Sequence, residues 1–404
     1  MFNSPLKQYL LVTGNYWTFT VTDGALRMLV VLHFHQLGYS PLAIASLFLF
    51  YEFFGVVTNL CGGYLGARIG LNRTMNIGLG LQVAALAMLL VPSDTLSVAW
   101  VMLAQAISGI AKDLNKMSAK SAIKTLVPPD AQSKLFRWVA LLTGSKNALK
   151  GVGFFIGSLL LTLWGFHSAI LSLVAVLTMV WLFSLCCLTQ ELGKAKNKPK
   201  FSQIFSKSRA INQLSAARLF LFGARDVWFV IALPVYLTQQ LQWDHYQVGS
   251  FLALWIIGYG VVQTLAPMII ATKQVPDGKS AFTWALALVS VPVFIALALY
   301  YQLPNDLSLI IGLLIFGALF AINSSLHSFL IVDYADRDAV SLDIGFYYMA
   351  NASGRLIGTL LSGLVFEKFG LIACLLISSL FILIAALISR DLPRHNNQIK
   401  TKVT

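Results

Sequence analysis

Twelve charged side chains stand deep inside long apolar stretches of this 404-residue chain, and they are the residues with chemistry to offer. Eight are basic: Arg27, Lys112, Lys116, Lys146, Lys150, Arg218, Arg225 and Arg355. Four are acidic: Asp23, Glu52, Asp113 and Asp226. A charge within a bilayer-crossing stretch is costly, so such residues face the protein interior or a wet cavity. Eight against four leaves positive charge that the chain does not neutralise by itself. The economical partner is an anion. Arginine suits bidentate oxyanion recognition and lysine a point charge. The chemistry is binding, not catalysis. No P-loop, HExxH or GxSxG spacing occurs, so ATP-driven work and hydrolysis lack their motifs. No cofactor and no metal is called for. His33 and His35 have no carboxylate or cysteine nearby and read as packing residues. Cys61, Cys186, Cys187 and Cys374 show no CxxC spacing and read as small apolar residues.

Spacing groups the charges. Lys112, Lys116, Lys120 and Lys124 recur every four residues and form one slowly drifting helical stripe. The stripe is either a wet basic funnel or a chain of structural ion pairs. Lys120 and Lys124, at its end, are expected to snorkel. Lys146 and Lys150 share a face with Asn147 beside them, and Asn351 and Arg355 share the matching face further along. Lys150 and Arg355 therefore read as a matched cationic pair for an anion; the alternative is structural pairing with Glu52 or Asp23. Arg225 and Asp226 are neighbours that point about 100° apart. They are expected not to neutralise each other, and one of them is expected to pair elsewhere, with Asp23 a candidate. Asp226 itself reads better as structural. Asp23 and Glu52 are the candidate proton carriers, but so many nearby cations favour their permanent ionisation as counter-charges.

The elements that position these residues follow from composition. Apolar and aromatic residues make up 57% of the chain and charged ones only 11%, with mean hydropathy +0.76. An ordinary soluble domain is about 25% charged, so soluble domains of this length are excluded. Four cysteines are too sparse for a disulfide scaffold. The net charge of +13 does not indicate nucleic acid, because the basic residues lie in alternate loops and inside apolar segments. No cleavable signal peptide is expected. Twelve spans of near-bilayer length are read at 9–33, 42–66, 74–92, 96–125, 138–164, 166–190, 211–237, 247–271, 281–302, 307–332, 343–366 and 370–389. At 1.5 Å per residue, Lys150, Arg225 and Arg355 lie roughly 18–21 Å into their spans, near the midplane.

Loop charge sets the orientation. One side carries Arg68, Arg73, Lys134, Arg137, Lys194, Lys196, Lys198, Lys200, Lys207, Arg209, Lys273, Lys279, Arg394, Lys400 and Lys402. The other carries Asp94, Asp244, Asp306 and Lys368. Both termini are therefore expected in the cytoplasm, in the cell (inner) membrane. The polar stretch 191–210, with Pro199, reads as a cytoplasmic basic linker between a first six-helix bundle (1–190) and a second with a short tail (211–404). The halves repeat at an offset of about 204 residues. Leu37 to Pro41 precedes span two and Leu241 to His245 precedes span eight, each with a helix-start signal: Ser40 before Pro41, and Asp244 with Gln247. Lys150, Gly153 and Gly165 fall opposite Arg355, Gly358 and Gly370, whereas Arg27 falls opposite Ile231.

A parallel repeat of six and six with a basic middle loop resembles the major facilitator transporters. The loop from Gly63 to Arg73 resembles that superfamily's signature, with Ala67 where an acidic residue is usual. That departure puts the loop's usual charge relay in doubt. Gly144, Gly151, Gly153 and Gly157 occupy span five without the Gly-Pro pair of many antiporters. The fold expected is therefore all-α and membrane-bound: twelve transmembrane helices as two pseudo-symmetric six-helix bundles.

The segments around Thr13–Trp17, Thr22–Pro41, Phe50–Leu60, Leu71–Gln82, Gly109–Ser121, Thr143–Phe155, Phe205–Asn212 and Phe222–Val230 resemble the ArsJ-type organoarsenical efflux permeases. That resemblance implies export of 1-arseno-3-phosphoglycerate, arsenate resistance, and a functional partnership with glyceraldehyde-3-phosphate dehydrogenase. The cargo has an anionic group at each end, which suits two cationic clusters: Lys150 with Lys146, and Arg355 with Arg225. Arginines on spans one and seven, as in related organophosphate antiporters, have Arg27 and Arg225 as their nearest matches here. Other solute permeases, whether an organophosphate/phosphate exchanger or a proton-coupled drug exporter, and a non-transporting anion receptor remain open readings; an enzyme is the least favoured.

Overall fold

The computed structural model describes residues 5–39, 47–92, 96–188, 192–195, 205, 207–270, 275–338 and 340–394. The helix start expected at Ser40 and Pro41, Asp94, linker residues Lys196, Lys198, Pro199 and Lys200, Lys273, and tail residues Lys400 and Lys402 lie outside them. Helices account for nearly all the rest, and no strand occurs among the described residues. In chain order they are α1 Pro5–Gln36, α2 Leu49–Ile69, α3 Leu71–Ala87 with a 3-10 turn Met88–Leu90, α4 Val98–Leu126, α5 Gln132–Cys187, α6 Arg209–Phe229, α7 Ala232–Gln239, α8 His245–Ile270, α9 Gly278–Tyr300, α10 Asn305–Tyr334 and α11 Val340–Ser389.

These helices make twelve spans. Seven segments are long and apolar enough to cross a membrane, α6 and α7 together forming one of them. Two of the seven hold two spans each. The 56 residues of α5 and the 50 of α11 would reach about 84 and 75 Å, against a hydrocarbon core of about 30 Å. Each is broken by a glycine in the left-handed region: Gly165 at φ 74° and Gly370 at φ 74°. A side chain there would be strained. The repeat pairs these same two glycines, so the break between the last two spans of each half is written twice in the sequence. The three remaining spans are α1, α2 and α4, which carry Asp23 and Arg27, Glu52, and Lys112, Asp113 and Lys116. Span seven departs from the expected continuous helix: α6 ends at Phe229 and α7 resumes at Ala232.

Local signals explain the helix starts. Ser97 accepts from Trp100 N, Ser208 from Ile211 N, and Asp277 caps α9 through Lys279 N and Ser280 N. Ahead of α8 the expected pair is present: Gln247 N donates to Asp244 Oδ1 at 2.7 Å, and Asp244 N donates to Gln247 Oε1 at 3.0 Å. Exposed Phe155, Leu254, Met268 and Phe294 on α5, α8 and α9 suit a hydrocarbon surround rather than water.

The chain forms two compact units. The first is built from Met1–Ala131, Ser145–Ser206 and Ala335–Met349; the second from Gln132–Gly144, Lys207–Tyr334 and Ala350–Thr404. In the first, the loop joining α2 to α3 is a single residue, Gly70 at φ 97°. Ala67 is fully buried there against Ala195 and Leu342. That packing explains its departure from the usual acid: a carboxylate in this small apolar nest would be desolvated without a partner. The second unit packs on Trp228, Phe316, Phe320 and Trp255, with Trp228 edge-on to Phe316 at 4.9 Å between ring centres.

Candidate functional site

Each unit holds its own cluster of intramembrane charge. In the first unit α1 supplies Asp23 and Arg27, α2 supplies Tyr51 and Glu52, α4 supplies Lys112, Asp113 and Lys116, and α5 supplies Lys146, Asn147 and Lys150. Arg27 Nη2 donates to Glu52 Oε1 at 2.9 Å. Its Nε is buried without a hydrogen-bond partner among the described residues. Asp113 is buried and takes Lys116 at 2.5 Å and Lys112 at 3.9 Å. The Tyr51 hydroxyl donates to Asp23, 2.9 Å from each carboxylate oxygen. Lys150 lies within electrostatic range of Arg27, Asp23, Lys146 and Glu52. It makes no hydrogen bond or ion pair among the described residues; its ammonium sits 5.7 Å from the Phe154 ring centre.

In the second unit α6 supplies Arg218, Arg225 and Asp226, and α11 supplies Asn351 and Arg355. The Asp226 side chain is 0% exposed and is bracketed by two guanidiniums: Arg225 Nη2 at 2.5 Å from Oδ1, and Arg355 Nε at 3.0 Å from Oδ2. Arg218 Nε donates to Asn351 Oδ1 at 2.9 Å.

Glycine contacts give the two clusters a common frame. A Cβ on Gly153 of α5 would lie 3.1 Å from Gly24 Cα of α1, and one on Gly358 of α11 would lie 3.1 Å from Gly223 Cα of α6. Spans one and five thus cross at Gly24 and Gly153 as spans seven and eleven cross at Gly223 and Gly358. Three residues before the crossing glycine, α5 carries Lys150 and α11 carries Arg355. Three residues after it, α1 carries Arg27 and α6 carries Asp226. The counterpart of Arg27 is therefore Asp226, not Ile231: the sequence repeat slips by five residues between the first spans of the two halves. At equivalent crossings the second unit holds an opposite-charge pair and the first a like-charge pair.

Several expectations change. Arg225 and Asp226 do neutralise each other, with Arg225 Nη2 on Asp226 Oδ1, and it is Asp226 that also pairs elsewhere, with Arg355 rather than with any residue of the first unit. Arg355 is not a bare cation, since it shares Asp226. Lys120 does not snorkel: it is 2% exposed and its ammonium bonds the Tyr348 hydroxyl. Lys124 is also buried. The lysine stripe is held in part by ion pairs, through Asp113, and in part by aromatic rings. Lys112 stands 3.8 Å from the Tyr51 ring centre, and Lys116 and Lys120 stand 4.6 and 4.7 Å from that of Tyr348. His33 stacks on Phe166 at 4.0 Å, as a packing residue would. Cys61 and Cys186 are exposed, whereas Cys374 is buried.

Tyr51 and Tyr348 were not legible as site residues, since tyrosines carry no charge at neutral pH. The available signal was an aromatic within an otherwise cation-rich set of helices. A cavity of about 900 Å³ in the second unit, lined by Tyr236, Gln239, Thr359 and Glu367 among others, touches none of the expected site residues.

Twelve spans in two repeats, with charges held inside the apolar region, define a multi-pass membrane transporter. The chain belongs to the Major Facilitator Superfamily, whose pattern matches residues 10–231 and 214–403. Solved structures share the fold. One is the human organic anion transporter MFSD10 (TETRAN), 18% identical, with 94% of this chain and 99% of that one covered and a TM-score of 0.74. Another is the E. coli fucose:proton symporter FucP, 16% identical, covering 96% and 99%, with a TM-score of 0.73. A third is a bacterial homologue of the iron transporter ferroportin in an outward-facing state, 13% identical, covering 94% and 98%, with a TM-score of 0.77. At these identities the likeness establishes the fold alone. No curated protein matches the chain in sequence.

Proposed function

We propose that the protein exports an organic anion with an anionic group at each end, of the kind represented by 1-arseno-3-phosphoglycerate, from the cytoplasm by alternating access. The observation that carries this reading is the like-charge pair. Where α6 and α11 cross, Asp226 meets Arg355; at the equivalent crossing Arg27 and Lys150 stand within electrostatic range of each other. Glu52 offsets part of the repulsion between these cations, and the rest acts in a low-dielectric setting where like charges repel strongly. An oxyanion placed beside them removes that repulsion and finds two ready donors, Arg27 Nε and the Lys150 ammonium. Lys146, Asn147, Lys112 and Lys116 belong to the same cluster and are proposed to extend it toward the cargo. Arg225, Arg355 and Asn351 are proposed to serve the cargo's second anionic end. Asp23, Glu52, Asp113 and Asp226 act as counter-charges.

On this reading the protein sits in the inner membrane with both termini cytoplasmic. Bundles 1–190 and 211–404 rock about the cargo, joined by the linker 191–210. Glyceraldehyde-3-phosphate dehydrogenase supplies the cargo when it accepts arsenate in place of phosphate, without needing to touch the transporter. Hydrolysis of the ester outside returns arsenate there.

The test is arsenate resistance in arsenate-sensitive cells that carry the protein with or without cytoplasmic glyceraldehyde-3-phosphate dehydrogenase. Resistance is expected only with both, because bare arsenate lacks the second anionic end. Equal resistance without the dehydrogenase would remove the ester from the proposal.

A further inference from the structure

Tyr51 is 1% exposed and touches three charged residues, Arg27, Lys112 and Asp23. The Arg27 guanidinium lies 4.1 Å from its ring centre and the Lys112 ammonium 3.8 Å. Its hydroxyl lies 2.9 Å from both oxygens of Asp23. The two cations come from different helices, α1 and α4, and the ring comes from a third, α2.

We propose that Tyr51 is the positioning residue of the first-unit anion site: its ring gathers Arg27 and Lys112 without spending their charge, and its hydroxyl occupies Asp23. This rests on the reading that the site binds an anion. The first half of the argument is electrostatic. A carboxylate that gathers two cations cancels one of them, and the site loses that much attraction for its ligand. An aromatic face attracts cations through its quadrupole, most strongly when desolvated, and carries no net charge. Tyr51 therefore sets the spacing of the two cations and adds no counter-charge to those of Glu52 and Asp113.

The second half concerns Asp23. It is buried and within electrostatic range of both Arg27 and Lys150. Freed, it would pair with either and act as a built-in competitor of the ligand. Its hydrogen bonds among the described residues go to Tyr51 alone. The phenol thus engages a carboxylate that would otherwise compete with the ligand. Glu52 does not take over this part, since it is half-exposed and already pairs with Arg27.

The two functions of the side chain separate by substitution. Tyr51→Phe keeps the ring and releases Asp23. Tyr51→Leu removes both. Binding of 3-phosphoglycerate, a stable two-headed anion, to the purified protein reads the outcome. Tyr51→Phe is expected to weaken binding about tenfold, and adding Asp23→Asn is expected to restore it to within about threefold of the unchanged protein. Tyr51→Leu is expected to weaken binding by about a hundredfold, with no restoration by Asp23→Asn. Restoration separates this account from a merely structural role, because removing a second polar group does not repair a packing defect. Unchanged binding in Tyr51→Phe, or no restoration by Asp23→Asn, overturns it. If the unchanged protein itself binds no 3-phosphoglycerate, the functional reading fails, and Tyr51 is judged by melting temperature alone. Tyr51→Leu and Lys112→Gln then show non-additive effects if the ring holds the lysine, and additive effects overturn that contact.

Discussion

Lys150→Gln is expected to cut anion transport about a hundredfold or more while leaving the protein folded, inserted and at least as stable as before. The transport loss follows from truncating one charge of a desolvated ion–ligand contact, which costs about 2–5 kcal/mol. The unchanged stability follows from what Lys150 touches. It has no hydrogen bond or ion pair among the described residues, and Arg27 stands at the same helix crossing. Glutamine keeps much of the stem and removes a repulsion. Transport in vesicles and a melting curve on the same preparation check both halves. A variant that transports normally, or one that fails to fold, contradicts the assignment of Lys150 to the ligand.

Asp226→Asn is expected to do the reverse. This carboxylate is wholly buried and bracketed by Arg225 and Arg355. Removing the charge leaves two guanidiniums facing each other. Breaking a buried pair costs about 3–5 kcal/mol; the lower end applies here, because Arg355 is 38% exposed and water screens it. That is a large share of the stability of an ordinary domain. The variant is expected to accumulate poorly and to melt lower, whereas Arg355→Gln retains the Arg225 pair and loses less. Equal melting temperatures for Asp226→Asn and the unchanged protein would show that the bracket contributes nothing. Together the two substitutions test whether Lys150 serves the ligand and Asp226, at the equivalent crossing, serves the fold.

Much of the architecture was legible because bilayer crossing imposes length and apolarity on every span. The paired glycines Gly165 and Gly370 were readable for the same reason: a positive φ admits few other residues. Charge was readable by type but not by partner. Arg225 and Asp226 are adjacent in sequence, and helical geometry alone argues that they diverge. The long Arg225 side chain reaches the Asp226 carboxylate all the same, and no rule of spacing contains that. The repeat located Lys150 and Arg355 as counterparts but misplaced Arg27 by five residues. Only the contact between Gly24 and Gly153, set against that between Gly223 and Gly358, fixes the register that makes Asp226 its counterpart. Tyr51 and Tyr348 were invisible because a neutral ring gives no charge signal, although each holds two cations in the fold. The burial of Lys120 was misread on the same account, since its partner is a tyrosine on a distant helix.

The most direct test encloses glyceraldehyde-3-phosphate dehydrogenase, its cofactor, triose phosphate and arsenate inside proteoliposomes and follows arsenic appearing outside. An inside-negative potential is imposed at zero pH gradient. The membrane potential contributes about 2.3 kcal/mol per charge per 100 mV, so an anion of charge −2 to −3 is driven outward by about 5–7 kcal/mol. No proton coupling is then required. The account predicts arsenic efflux that needs the dehydrogenase, rises with the potential and disappears in Lys150→Gln. Arsenic that stays inside at every potential, or leaves equally well without the dehydrogenase, would contradict it.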